Sequence, residues 1–181
     1  MNESSSLDLA ATAARAIVLH CLLEFQTGHA KTIRVTKRGC EFSVSDDGRG
    51  HPIDKTVAGV SYLRFIYTHF DYPFEATQGA PIQLQGIGMS LITAMCSELW
   101  LTVRKHDETL AAYFEDGQLR ETNRSPAVSE ETGITVRAKL RQGLPADDSG
   151  TQQLEAWLQG VVQVHPTLGV FFNGRELKAR H

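Results

Sequence analysis

The sequence predicts an α+β fold: a two-layer sandwich whose mostly antiparallel, mixed sheet is covered on one face by helices. Three observations carry this. Strand-like alternation comes mainly in pairs joined by short turns, at residues 32–45, 99–123 and 170–177. Segments with few helix breakers, at residues 9–26, 88–97 and 151–164, fall between those groups. Short turns join antiparallel neighbours, and helices between groups of hairpins must cover a sheet face rather than form a separate bundle.

The first helix is expected over residues 9–26. Asp8 can cap it, Ala13, Ile17, Leu19, Leu22 and Leu23 mark a broad apolar face, and Gly28 ends it. Residues 32–36 then alternate as a strand, and Gly39 turns the chain into a second strand over 41–45, where Phe42 and Val44 alternate with Ser43 and Ser45. Asp54 can cap a helix that starts at Thr56 or Val60 and runs to His69. Residues 70–84 read as a loop with Pro73, Gly79 and Pro81, and a loop of that length in a compact domain is often a lid. After the 88–97 helix, a meander turns at His106-Asp107 and Asp116-Gly117, and a further strand covers 135–140. A helix over 151–164 stops before Pro166, and Asn173-Gly174 signals a final hairpin.

A chain of 181 residues suits one domain with a full core, and 41% hydrophobic with 22% charged residues argues against disorder. Residues 1–8, beginning MNESSS, are expected to be a disordered N-terminus, with one domain over 9–181. The formal charge of −3 gives no electrostatic reason to expect nucleic-acid binding. Cys21, Cys40 and Cys96 are far apart and odd in number, which points to reduced thiols and a cytoplasmic location rather than a disulfide or metal framework. No signal peptide and no apolar run long enough to span a bilayer is read, so no membrane is expected.

The stretch SVSDDGRGHPI, residues 43–53, breaks a strand with two carboxylates, two glycines, an arginine and a proline. Read alone, it is a turn. Two later stretches change its meaning. QGIGMSLITAMCS, residues 85–97, places a glycine pair before a helix, where backbone amides can approach a phosphate. TGITVRAKL, residues 132–140, leads a glycine into a strand. With these three in order, the chain resembles the GHKL (Bergerat-fold) ATP-binding domain, most like that of gyrase B and topoisomerase IV. The resemblance runs from about residue 10 to 177. Gly28-His29-Ala30-Lys31, Gly59-Val60-Ser61 and Ser90 add to it.

The resemblance implies an adenine nucleotide, ATP or ADP, as ligand. It implies that the aspartate of the D-x-G-x-G motif, assigned to Asp47, accepts a hydrogen bond from the adenine amino group; Asp46 is read as its solvated neighbour. Gly48 and Gly50 would let base and backbone come close. Arg49 and Pro52 match residues that wall the pocket, with a surface ion pair as the alternative for Arg49. Gly86, Ile87, Gly88, Met89 and Ser90 would cradle phosphates. Ile66 is a candidate for apolar contact with the base, and Thr135 for the hydroxyl near adenine, one step late because Ile134 holds the usual place.

The departures bear on activity. The general-base glutamate and magnesium-binding asparagine of the first helix correspond to Ala16 and His20. Alanine cannot take a proton, and imidazole is a poor partner for magnesium, which prefers oxygen. His20 with Glu24, four residues apart on one helix face, is the remaining candidate for a substitute base or a metal pair. His51 stands where an apolar residue lines the base, and no Lys or Arg occurs between Arg64 and Arg104, so the usual lid lysine is absent. The expectation is a stand-alone domain that binds ATP or another adenine nucleotide, with ATP hydrolysis weak or absent and magnesium use open. The alternative is a pseudo-ATPase interaction module that uses Phe70, Tyr72 and Phe74 to contact a protein partner.

Overall fold

The computed structural model describes residues 7–69 and 88–179. An eight-stranded mixed sheet forms the floor. Its strands are β1 (Thr32–Arg38), β2 (Glu41–Asp46), β5 (Cys96–Arg104), β6 (Glu108–Glu115), β7 (Gln118–Pro126), β8 (Gly133–Leu140), β9 (Gly169–Phe172) and β10 (Arg175–Leu177). Their order across the sheet is β10-β9-β1-β2-β8-β5-β6-β7, and every pairing is antiparallel except β1 with β9. The helices are α1 (Leu9–Gln26), α2 (Tyr62–Thr68), α3 (Met89–Met95) and α4 (Asp148–Val164). The α+β sandwich expected from the hairpins is the fold observed.

Alternation decides which face is buried. Ile33 and Val35 on β1, Phe42 and Val44 on β2, Leu99, Leu101 and Val103 on β5, and Val136, Ala138 and Leu140 on β8 all lie in the core. Their neighbours on the other face are polar or half-buried, with Arg34 over the Phe171 ring and Arg137 over Trp100. The β6–β7 and β9–β10 turns place Asp116-Gly117 and Asn173-Gly174 at positive φ, the geometry of tight hairpin turns that match strand twist.

α1 has the bounds its apolar pattern implied. Asp8 caps it by accepting the Ala11 N–H at 2.7 Å. The same carboxylate accepts the Asp147 N–H at 2.7 Å and lies 2.9 Å from the buried Lys37 ammonium. Lys37 also donates to the carbonyls of Gly39 and Asp147. Asp147 in turn caps α4 by accepting the Gly150 N–H at 2.9 Å. Asp8 is therefore a buried part of the domain, which corrects the boundary of the expected disordered segment.

Two further expectations change. Asp54 caps no helix; its carboxylate pairs with Arg124 at 2.9 Å. The segment expected as helix from Thr56 or Val60 instead opens with a small hairpin, β3 (Thr56–Val57) and β4 (Val60–Ser61), and Ser61 caps α2. Helical propensity there yields to a turn with Ala58 and Gly59 both at positive φ. Second, α1 is long and apolar enough by length and composition to cross a membrane, contrary to the sequence reading; half of it is buried inside the protein, where it packs on β1, β2 and α4. The three cysteines are free, with Cys21 and Cys96 buried.

Candidate functional site

A cleft of about 440 Å³ opens on the helical side of the sheet. The C-terminal half of α1 supplies His20, Leu23 and Glu24. The loop after β2 supplies Arg49, Gly50, His51 and Pro52. Tyr62 and Ile66 come from α2, Met89 from α3, Ile134 from β8, and Lys105 from the end of β5. Asp46 completes the lining.

Asp46 is the last residue of β2 and follows Phe42 and Val44 on the buried face. Its Oδ1 accepts the N–H of Gly48 at 2.9 Å and that of Ile134 at 3.3 Å. The buried Cys21 thiol also bonds to this carboxylate, and burial followed by the nearby negative charge pushes the thiol pKa well up. Asp47, one step further along the alternation, points the other way. It is exposed and its Oδ1 accepts the N–H groups of Lys31 at 2.7 Å and Thr32 at 2.9 Å, tying down the start of β1. The placement of Asp47 in the cleft is thus corrected: the carboxylate at the cleft floor is Asp46. Two signals were present in the sequence. The D-x-G-x-G spacing begins at Asp46, and continuing the 42, 44 alternation turns residue 46 inward.

The same parity rule displaces Thr135. Its hydroxyl accepts from Arg104 Nη1 at 2.9 Å on the face of the sheet away from the cleft. Ile134 faces the cleft instead and offers its backbone N–H to Asp46. Thr135 is corrected on this ground as a cleft residue.

The loop from residue 48 to 52 is held on three sides. Arg49 closes on Glu24 with Nη2 at 2.8 Å and Nε at 3.2 Å, while its backbone N–H reaches the same carboxylate at 3.1 Å. These bonds, opposed in part by burial, hold the Glu24 carboxyl below its usual pKa. Lys105 donates from Nζ to the carbonyls of Arg49 at 2.8 Å and Gly50 at 3.2 Å. Sequence reasoning missed Lys105, since nothing in its neighbours marks a clasp to a loop 55 residues earlier. Gly50 sits at φ +70°, and a Cβ there would lie 3.0 Å from Val103 and 3.1 Å from the Arg104 carbonyl. Gly133 is stricter: a Cβ would lie 2.1 Å from the Asp46 carbonyl oxygen. These glycines let the loop lie flat on the sheet end.

His51 meets Tyr67 Oη at 3.2 Å through Nε2 and makes edge contacts with the rings of Tyr62 and Tyr67. Burial first, then the positive charges His20 and Lys105 would carry beside it, push its pKa down to about 4, so the imidazole is neutral at pH 7. His20 lies at the exposed rim and is also lowered by the protein around it. Ala16, one turn before His20, is a buried methyl in the core.

His20 and Glu24 share the cleft wall, but Glu24 is engaged by Arg49 rather than by His20. No group of three His, Cys, Asp or Glu side chains comes together among the described residues. Magnesium wants hard oxygen ligands, so the His20 imidazole does not fit it, the Glu24 carboxylate beside it is already closed on Arg49, and Asp46 Oδ1 is taken by two backbone N–H groups. At the far end, Gly88 caps α3 in extended conformation, Met89 lines the cleft and Ser90 is buried. Gly86, Ile87, Phe70, Tyr72 and Phe74 lie outside the described residues.

A helix-covered mixed sheet, with a cleft between its first helix and a glycine-rich loop at a strand end, is the α+β fold shared with the ATP-binding domains of gyrase B and topoisomerase IV. Proteins of known structure agree. The fold superimposes on the ATP-binding domain of Francisella tularensis topoisomerase IV in complex with a small-molecule inhibitor, with TM-score 0.72, 18% identity, and coverage of 90% of this chain and 82% of that one. The 43K ATPase domain of Thermus thermophilus gyrase B in complex with an aminocoumarin gives TM-score 0.73 and 21% identity over 92% of this chain and 45% of that one. In sequence, the chain is 26% identical over 122 residues to the B subunit of DNA topoisomerase 4 from Borreliella burgdorferi and 29% identical over 110 residues to that from Mycoplasma pneumoniae. Those matches cover 67% and 56% of this chain, which spans only 20% and 17% of the two relatives. No protein-family model matches the sequence.

Proposed function

We propose that this domain binds an adenine nucleotide in the cleft floored by Asp46, and that ATP hydrolysis by the chain is weak or absent. The observation that carries the binding reading is the Asp46 carboxylate, buried at 7% exposure and oriented by two backbone N–H groups. A carboxylate so fixed is an acceptor for an exocyclic amino group and rejects a carbonyl, because an unpaired buried acceptor is costly. Gly50 and Gly133 leave room beside it, and Ile66, Pro52 and Ile134 offer apolar walls. The reading of weak or absent turnover rests on Ala16, whose methyl cannot take a proton from water, and on the lack of a hard oxygen donor at His20.

The test is the thermal midpoint of the full chain with ATP, ADP and AMP, with and without magnesium. A ligand at 100 times its dissociation constant stabilises by about 2.7 kcal/mol. A midpoint that no adenine compound moves would refute binding, and phosphate release at an ordinary ATPase rate would refute the reading of weak turnover.

A further inference from the structure

We propose that the cleft selects an adenine ligand of low charge, bound without a metal ion, so that adenosine or AMP binds at least as well as ATP. This rests on the adenine-binding reading above and narrows the ligand class within it.

The charge inventory of the cleft is the basis. Its described lining has two permanent cations, and both are engaged. The Arg49 guanidinium is closed on the Glu24 carboxylate, and the Lys105 ammonium donates to two carbonyls of the 48–52 loop. Against Arg49 and Lys105 stand Glu24 and Asp46, so the described lining carries no net positive charge. The imidazoles of His20 and His51 complete the set of titratable side chains with a nitrogen facing the cleft. The sequence between Arg64 and Arg104 has no Lys or Arg.

A triphosphate brings about four negative charges at neutral pH, and sites that favour it supply Arg, Lys or a magnesium ion to offset them. Here the magnesium donor set does not fit, and no free Lys or Arg among the described residues faces the cleft. Each added phosphate therefore loses hydration in a lining that offers no unengaged Lys or Arg among the described residues. The cleft still offers what a nucleoside needs: an oriented acceptor, apolar walls, and aromatic edges at Tyr62 and His51.

The test is isothermal titration of the full chain with adenosine, AMP, ADP and ATP, in magnesium and in EDTA, with guanosine as control. Affinities for adenosine and ATP within about threefold of each other, or falling with phosphate number, and unchanged by EDTA, are expected. ATP binding tenfold tighter than adenosine, or a tenfold gain from magnesium, would overturn the low-charge inference and leave adenine binding standing. Binding of no adenine compound would remove both. A second arm uses His20→Lys at the exposed rim, which adds a free cation without touching the core. The ATP-to-adenosine affinity ratio should rise about tenfold, the worth of one well-placed charge. An unchanged ratio would show that phosphate charge is not what limits binding, and would overturn the inference by a route independent of the base pocket.

Discussion

Asp46 Oδ1 accepts the backbone N–H of Ile134 at 3.3 Å, joining the end of β2 to the start of β8 at the cleft floor. The bond fixes which carboxylate of the Asp46-Asp47 pair faces the cleft. With Oδ1 turned to Ile134 and Gly48, Asp46→Asn would keep that oxygen in place and present an amide N–H₂ to the ligand. Two amino groups then face each other, and adenine binding should fall about 10- to 100-fold, the loss of a charge-assisted bond worth roughly 1.5–3 kcal/mol. Titration calorimetry against the parent protein measures it.

Asp47→Ala tests the other half of the same relationship. It removes the acceptor for Lys31 and Thr32, so stability should drop by about 1 kcal/mol in a urea titration while ligand affinity changes less than about threefold. Thr135→Val, on the far face of the sheet, should likewise leave affinity unaltered. A large loss of binding in either variant would contradict a cleft floored by Asp46.

The Asp8–Lys37 pair should behave as an all-or-none junction. Both side chains are buried, and the carboxylate also serves the α1 and α4 ends. Lys37→Met strands the acid and should cost about 3–5 kcal/mol of unfolding free energy. Gly150→Ala should be comparably harmful, because its Cβ would sit 2.1 Å from Asp8 Oδ2. Denaturant midpoints of the two variants decide the matter.

The acid limb of stability has two named contributors with the same sign. His51 has a folded pKa of about 4 against an ordinary 6.5, so the unfolded chain binds its proton first. Its contribution is complete above pH 6.5 and is lost as pH falls toward 4, on the order of 2 kcal/mol for a half-buried ring. Glu24, held below its ordinary value by Arg49, contributes above its unfolded pKa and is lost as pH falls through the folded one. His51→Phe should flatten the stability curve between about pH 6.5 and 4, and Glu24→Gln should flatten it below about 4.5. Thermal midpoints across roughly pH 3.5–7.5 separate the two.

Lys105→Ala should loosen the loop that carries Arg49 and Gly50. Loss of one clasp to two carbonyls should weaken ligand binding several-fold, by about 1 kcal/mol, and raise hydrogen exchange across residues 48–52.

Much of this protein is legible along the chain. α1 runs between the capping acid and the glycine that bound its apolar pattern, and Asn173-Gly174 turns the last hairpin as its dipeptide requires. Both are local: a cap, a stop and a turn depend on residues within a few positions of one another. That Ala16 offers no proton acceptor is readable for a similar reason, since a side chain without a functional group cannot be given one by its surroundings. Where structure fails to be local, sequence alone is a poor guide. The 56–61 segment reads as helix because its hairpin depends on a two-residue turn with weak composition.

The parity of residues 46 and 47 lies between these cases. Alternation along β2 implies it, but two adjacent acids of equal chemistry are told apart only when β8 arrives with Gly133 and Ile134 to bury one of them. Lys105 and Arg49 needed the tertiary structure outright. A surface cation becomes a clasp, or an ion-pair partner 25 residues from its acid, only when packing brings the two within hydrogen-bond reach, and the free energy of that pairing is invisible along the chain. The sequence by itself determined the fold class, the ends of α1, the absence of a proton acceptor at Ala16 and the shortage of cations. The tertiary structure decided which carboxylate floors the cleft and which charges are already engaged, because both depend on distances across the sheet.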